Sequence, residues 1–164
     1  MKTLTLLRHA KSSWSDSTLD DFDRPLNKRG KHNAPFIAQK LVEKGFSPEL
    51  ILASPAKRAK ITTKFVSQAI DYPLKDIIWD KNIYSLGMAY LVSLIQKQNS
   101  RHQHILLVGH NFELTDFANF LCTKEVDNIP TMGAYSMNME IDNWSEVRNK
   151  CAELAFFEYP KLYK

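Results

Sequence analysis

The stretch Leu4-Thr5-Leu6-Leu7-Arg8-His9-Ala10-Lys11-Ser12-Ser13-Trp14 decides how the rest of the chain reads. Its apolar run is short and uninterrupted, and it ends abruptly in Arg8 and His9. Such a run reads as a parallel strand buried on both faces. In an open α/β sheet the ligand site lies outside the carboxyl ends of the strands. Arg8 and His9 stand at such an end. One is a fixed positive fork for oxyanions, the other an imidazole that can attack, accept or donate a proton.

Downstream, the chain alternates between helical and strand patterns. A polar loop over residues 10–25 carries Asp16, Asp20, Asp21 and Asp23. A helix then follows Asn27, a suitable N-cap, with Ala34, Ile37, Ala38, Leu41 and Val42 at helical spacing and Gly45 as its stop. Pro48 to Ala53 reads as a second buried strand. Ser54 and Pro55 read as the cap and first residue of a helix running to Ile70, with Arg58 in its first turn. The dipole disfavours a cation there unless an anion is present. Ile77 to Trp79 is a short strand, and Gly87 to Gln98 a helix. His104 to Gly109 is a strongly apolar strand ending at His110, and Phe112 to Cys122 is the next helix. Ala134 to Ile141 and Glu153 to Glu158 read as strands near the sheet edge. The order predicts an α/β fold, a three-layer αβα sandwich with a mostly parallel central sheet, as one domain over residues 1–164.

Composition narrows the function classes. The chain has 164 residues, 44% hydrophobic and 24% charged, as a globular protein has, and no apolar stretch approaches the length of a membrane span. The net charge of +4 is spread over scattered lysines without a basic block interleaved with aromatics. It reads as a solvated surface, so neither nucleic acid nor membrane is expected as a partner. Cys122 and Cys151 read as free thiols. With no secretory signal at the N-terminus, they point to a cytoplasmic protein.

Three predicted strands finish in residues suited to phosphate: Arg8 with His9, Ser54 leading to Arg58, and His110. Two guanidinium forks can hold the oxygens of a phosphoryl dianion while one neutral imidazole attacks phosphorus and forms a phosphoenzyme. Phosphoryl transfer needs mainly positioning and charge stabilisation. There is no carboxylate cluster at metal-ligand spacing, so no cofactor and no metal is expected.

Four blocks in order carry a family resemblance: Leu7 to Trp14, Asp23 to Gly30, Ser54 to Thr62, and Val108 to Asn111. The chain resembles the histidine phosphatase superfamily, the phosphoglycerate-mutase-like group, and within it the small SixA-type phosphohistidine phosphatases. The resemblance implies that His9 is the phosphorylated nucleophile. It implies that Arg8 and Arg58 bind the phosphoryl oxygens, that His110 stabilises the transferring group from the opposite side, and that Ser12 lines the phosphate pocket. It also implies a phosphohistidine-bearing protein as substrate. Many members place a glutamate after the third strand as general acid. The matching stretch here, Asn82 to Gly87, has no carboxylate, which leaves the acid either dispensable or supplied by the Asp16 to Asp23 loop. The short chain has little material for the lid of a mutase.

Blander readings apply elsewhere. His32, His102 and His104 read as surface or strand-start residues. Asp23 and Arg24 read as a pair holding the loop, Trp14 and Trp144 as packing residues, and Cys122 as core. Two rival functions stay open at this level. One is a phosphatase or mutase for small phosphoesters. The other is a non-catalytic phosphate-binding module, which the missing glutamate would suit and the retained His9 would not need.

Overall fold

The computed structural model describes residues 1–164 and centres on one six-stranded sheet. Its strands are β1 (Lys2–Arg8), β2 (Leu50–Ala53), β3 (Ile78–Trp79), β4 (His104–Gly109), β5 (Ala134–Met139) and β6 (Ala152–Glu158), in the order β3-β2-β4-β1-β5-β6. The first four in that order run parallel. β5 and β6 pair antiparallel, closing the far edge. The expected αβα sandwich is therefore present, with an antiparallel edge added to a parallel centre.

The helices are α1 (Lys28–Glu43), α2 (Lys57–Ala69), α3 (Lys81–Ser85), α4 (Met88–Gln96) and α5 (Glu113–Leu121). Alternation along each strand sends side chains to opposite faces. Leu4, Leu6, Leu52, Ile105 and Leu107 pack with Leu91, Ile95, Phe117 and Leu121 of α4 and α5. Leu7, Ile51, Ala53, Leu106 and Val108 pack with Ile37, Leu41, Ala59 and Val66 of α1 and α2. This two-sided burial is why the strands read as continuous apolar runs rather than alternating ones.

Asn27 caps α1 as expected, its side chain accepting from the Gly30 amide at 2.8 Å, and Gly45 follows the helix at φ +72°. Gly30 is required for a different reason. A Cβ built there would overlap the carbonyl oxygen of Lys11, so the first turn of α1 rests directly on the backbone that follows His9.

Three local expectations need correction. Ser54 is not the N-cap of α2. The helix begins at Lys57 after Ala56, whose side chain can make no cap bond; the Ser54 hydroxyl instead accepts from the Ala56 amide at 3.2 Å, one step before the helix, and contacts His110. The helix expected from Gly87 to Gln98 is confined to α4, with Gly87 as its N-cap, and is preceded by the unanticipated α3, which the Asp80 side chain caps. Trp14 is not a packing residue. It is 73% exposed, with the Arg24 guanidinium stacked 3.4 Å from its ring centre. Trp144, in contrast, is fully buried, and so is Cys122.

Candidate active site

The sheet order places β4 between β1 and β2, so their carboxyl ends are neighbours. Arg8 is in register with Gly109, and Ala53 with Val108. The next residues, His9, His110 and Ser54, consequently stand side by side. The His9 amide donates to the Gly109 carbonyl and the Ser54 amide to that of Val108. The two imidazoles lie 5.2 Å apart between centres, and Arg58 reaches them from the first turn of α2.

The His9 tautomer follows from its surroundings. Nδ1 lies 2.7 Å from the Ala10 carbonyl oxygen, which can only accept, so Nδ1 carries the proton. Nε2 is left with a free lone pair, toward which the Arg58 Nε–H donates at 3.4 Å. Burial, reinforced by the charges of Arg58 and Arg8 and by His110, pushes the ring down to about 3 despite the Ala10 bond. His9 is thus neutral at physiological pH. Burial and the same two arginines bring His110 down to about 4. Its Nε2 is 2.8 Å from the Ser54 hydroxyl.

Two buried side-chain nitrogens in the protein lack a hydrogen-bond partner, and both belong to this cluster: Arg8 Nε and His110 Nδ1. Native interiors satisfy nearly all such atoms, so each orphan needs an explanation. A bound oxyanion supplies one. Arg8 also has no carboxylate partner. Its Nη1 donates only to the Ile129 carbonyl, at 3.0 Å, and burial together with Arg58 lowers it from its ordinary value.

Asp21 and Tyr84 complete the site, and sequence reasoning singled out neither. Arg58 Nη2 meets the Asp21 carboxylate at 2.9 Å and Nη1 donates to its main-chain carbonyl at 2.6 Å. The Tyr84 hydroxyl donates to the same carboxylate at 2.9 Å, and its ring stands edge-on to His110. Desolvation pushes the Asp21 carboxyl up, but the bonds from Arg58, Tyr84 and Arg24 hold it down at about 2. Arg24 therefore pairs with Asp21, at 2.9 Å, and not with Asp23 as expected. A carboxylate at position 21 lies three residues before Arg24, within reach of its side chain over a single 3₁₀ turn, Asp21–Asp23. Ser12 is one step removed from the imidazoles. Its hydroxyl accepts from Arg24 at 2.8 Å, so it supports the arginine that holds Asp21.

The buried histidines carry a pH consequence. His9, His110 and His104 are all depressed by burial, to about 3, 4 and 4 from 6.5. As pH falls below 6.5 the unfolded chain takes up protons before the folded one. The stability that depends on neutral rings is complete above that pH and is lost as pH drops toward about 4. Urea denaturation at pH 7 and at pH 5 should differ by on the order of 1–2 kcal/mol per histidine, with the lower stability at pH 5. Equal midpoints would contradict the burial of these rings in neutral form.

Comparison with known proteins agrees with the geometry. A profile of the histidine phosphatase superfamily (branch 1) matches residues 4–81. An uncharacterised chloroplastic protein of Arabidopsis thaliana, At3g52155, is 30% identical over 158 residues, covering 88% of this chain and 70% of that protein. Among solved structures, the provisionally assigned phosphohistidine phosphatase SixA of Agrobacterium tumefaciens superposes with a TM-score of 0.81 at 28% identity, covering 97% of this chain and 99% of that one. The protein histidine phosphatase SixA complexed with tungstate has the same fold, with a TM-score of 0.78 at 20% identity over 99% of both chains. The matched segment contains Arg8, His9 and Arg58, and the likeness in fold extends past His110 to the final strands. On these grounds the chain belongs to the histidine phosphatase superfamily.

Proposed function

We propose that the protein is a phosphohistidine phosphatase that works through a phosphohistidine of its own. His9 Nε2 attacks phosphorus, the bond to the leaving nitrogen breaks, and the phosphoryl group rests on His9 until water takes it. Arg8, Arg58 and His110 hold the oxygens during both transfers. The observation that carries this reading is the meeting of a neutral imidazole, unprotonated at Nε2, with two buried nitrogens that lack partners, Arg8 Nε and His110 Nδ1, at adjoining strand ends.

The leaving group is inferred from where protons are. Asp21 and His110 both sit well below neutral pH, and Tyr84 is raised by desolvation and by its bond to Asp21. None of these suits the role of a strong general acid. An imidazole leaving group protonated on its other nitrogen departs neutral and requires no acid, whereas an alkoxide would. Exposed apolar side chains beside the site favour a protein as carrier. Trp14, Leu86 and Phe112 are 73%, 46% and 52% exposed, and each lies two residues past Ser12, Tyr84 or His110.

Phosphate release from a phosphohistidine-bearing phosphotransfer domain should exceed that from phosphoglycerates and aryl phosphates by about 100-fold or more in kcat/KM. Faster release from a small phosphoester would overturn the substrate assignment. Tight phosphate binding with no turnover on any of them would identify a binding module instead.

A further inference from the structure

A cavity of about 250 Å³ opens beside Arg8; neither imidazole lines it, and its walls include Arg8, Lys11, Arg29 and Lys161 but no carboxylate. These cations come from four separate parts of the chain: the end of β1, the loop after it, the first turn of α1, and the C-terminal 3₁₀ turn Pro160–Tyr163. The side chains of Lys11, Arg29 and Lys161 make no ion pair; the protein's four salt bridges use Arg24, Lys40, Lys44 and Arg58. Thr131 and Tyr159 add hydroxyls to the wall.

The charge placement opposes local stability. The first turn of α1 has no acidic residue and carries Lys28 and Arg29 where the helix dipole already presents positive potential. A bound anion would offset both the dipole and the clustered cations. Arg8 belongs to this wall and also to the candidate active site, so the two spaces share a guanidinium.

We propose that this cavity is an anion subsite that receives a second oxyanion, a carboxylate or a phosphate, borne by the same molecule as the phosphoryl group destined for His9. The inference rests on the phosphatase reading for the position of the first group. The substrate class is thereby narrowed to phosphohistidines, or other phosphoryl carriers, with an acidic or phosphorylated neighbour.

Non-hydrolysable probes test it without turnover. Methylphosphonate and longer alkylphosphonates are titrated calorimetrically against homologous series of ω-phosphonocarboxylates and α,ω-bisphosphonates. At least one bifunctional chain length should bind about tenfold or more tighter than the alkylphosphonate of equal length, the scale of one charge-assisted hydrogen bond. That gain should vanish in the Arg29→Gln/Lys161→Gln double variant while methylphosphonate binding is unchanged. Both side chains are exposed, so the fold is not at stake. A gain confined to the carboxylates points to an acidic side chain, and one confined to the bisphosphonates to a second phosphate. No gain in either series, or a gain that survives the double variant, overturns the subsite. A protein that shows the gain but hydrolyses no phosphohistidine loses the phosphatase reading and keeps the subsite.

Discussion

His9→Ala should lower phosphatase turnover by about 10⁴-fold or more, in line with loss of a catalytic nucleophile. The variant loses the imidazole that attacks phosphorus, and the neighbouring His110 does not replace it, because its Nε2 lies 2.8 Å from the Ser54 hydroxyl. The measurement is direct. Wild-type protein incubated with a labelled phosphodonor and quenched should carry phosphate that is labile to acid and stable to alkali, and His9→Ala should carry none. Label on the variant would move the nucleophile to another residue. The Ala10 bond adds a regiochemical expectation. With Nδ1 occupied by its proton, the phosphate should reside on Nε2, which phosphorus NMR of the trapped enzyme distinguishes.

Arg58→Ala is expected to reduce kcat/KM by about 10³-fold, the scale of losing a preorganised oxyanion donor. Arg58 is 5% exposed and touches both the nucleophile and Asp21. Lysine should not restore the loss, because a point charge cannot reproduce the fork that spans two oxygens. A second readout separates charge from shape. Arg58 depresses both His9 and His110 electrostatically, so both rings should titrate at higher pH in Arg58→Ala. A variant with wild-type kcat/KM, or with unmoved imidazole titrations, would remove Arg58 from the phosphate site.

The sheet and the principal site were legible because they depend on local rules. An apolar run that stops at a cation marks a strand end, and parallel strands deliver their ends to one edge. Arg8, His9, Arg58 and His110 all arrive where that logic puts them. Asp21 was not legible as an individual. It is one of four aspartates in a polar loop, and only the loop's path over α2 selects it. Tyr84 lies in a stretch with no carboxylate of its own, and its hydroxyl donates to one that lies far away in sequence, on Asp21, a pairing that no local spacing reveals. The short α3 escaped because five residues show too little periodicity to distinguish helix from loop. Trp14 departs from the expectation because bulk alone suggests burial, whereas here the ring lies over the buried Arg24 guanidinium and itself stays 73% exposed.

The ion pair between Asp21 and Arg58 changes what it means for a ligand to arrive. Three of the five N–H groups of Arg58 are engaged, by the Asp21 main-chain oxygen, the Asp21 carboxylate and His9 Nε2. The fork is therefore held in one orientation by the protein itself, with two donors left over. A long side chain fixed in this way has little rotamer freedom left to lose when it takes up an oxyanion.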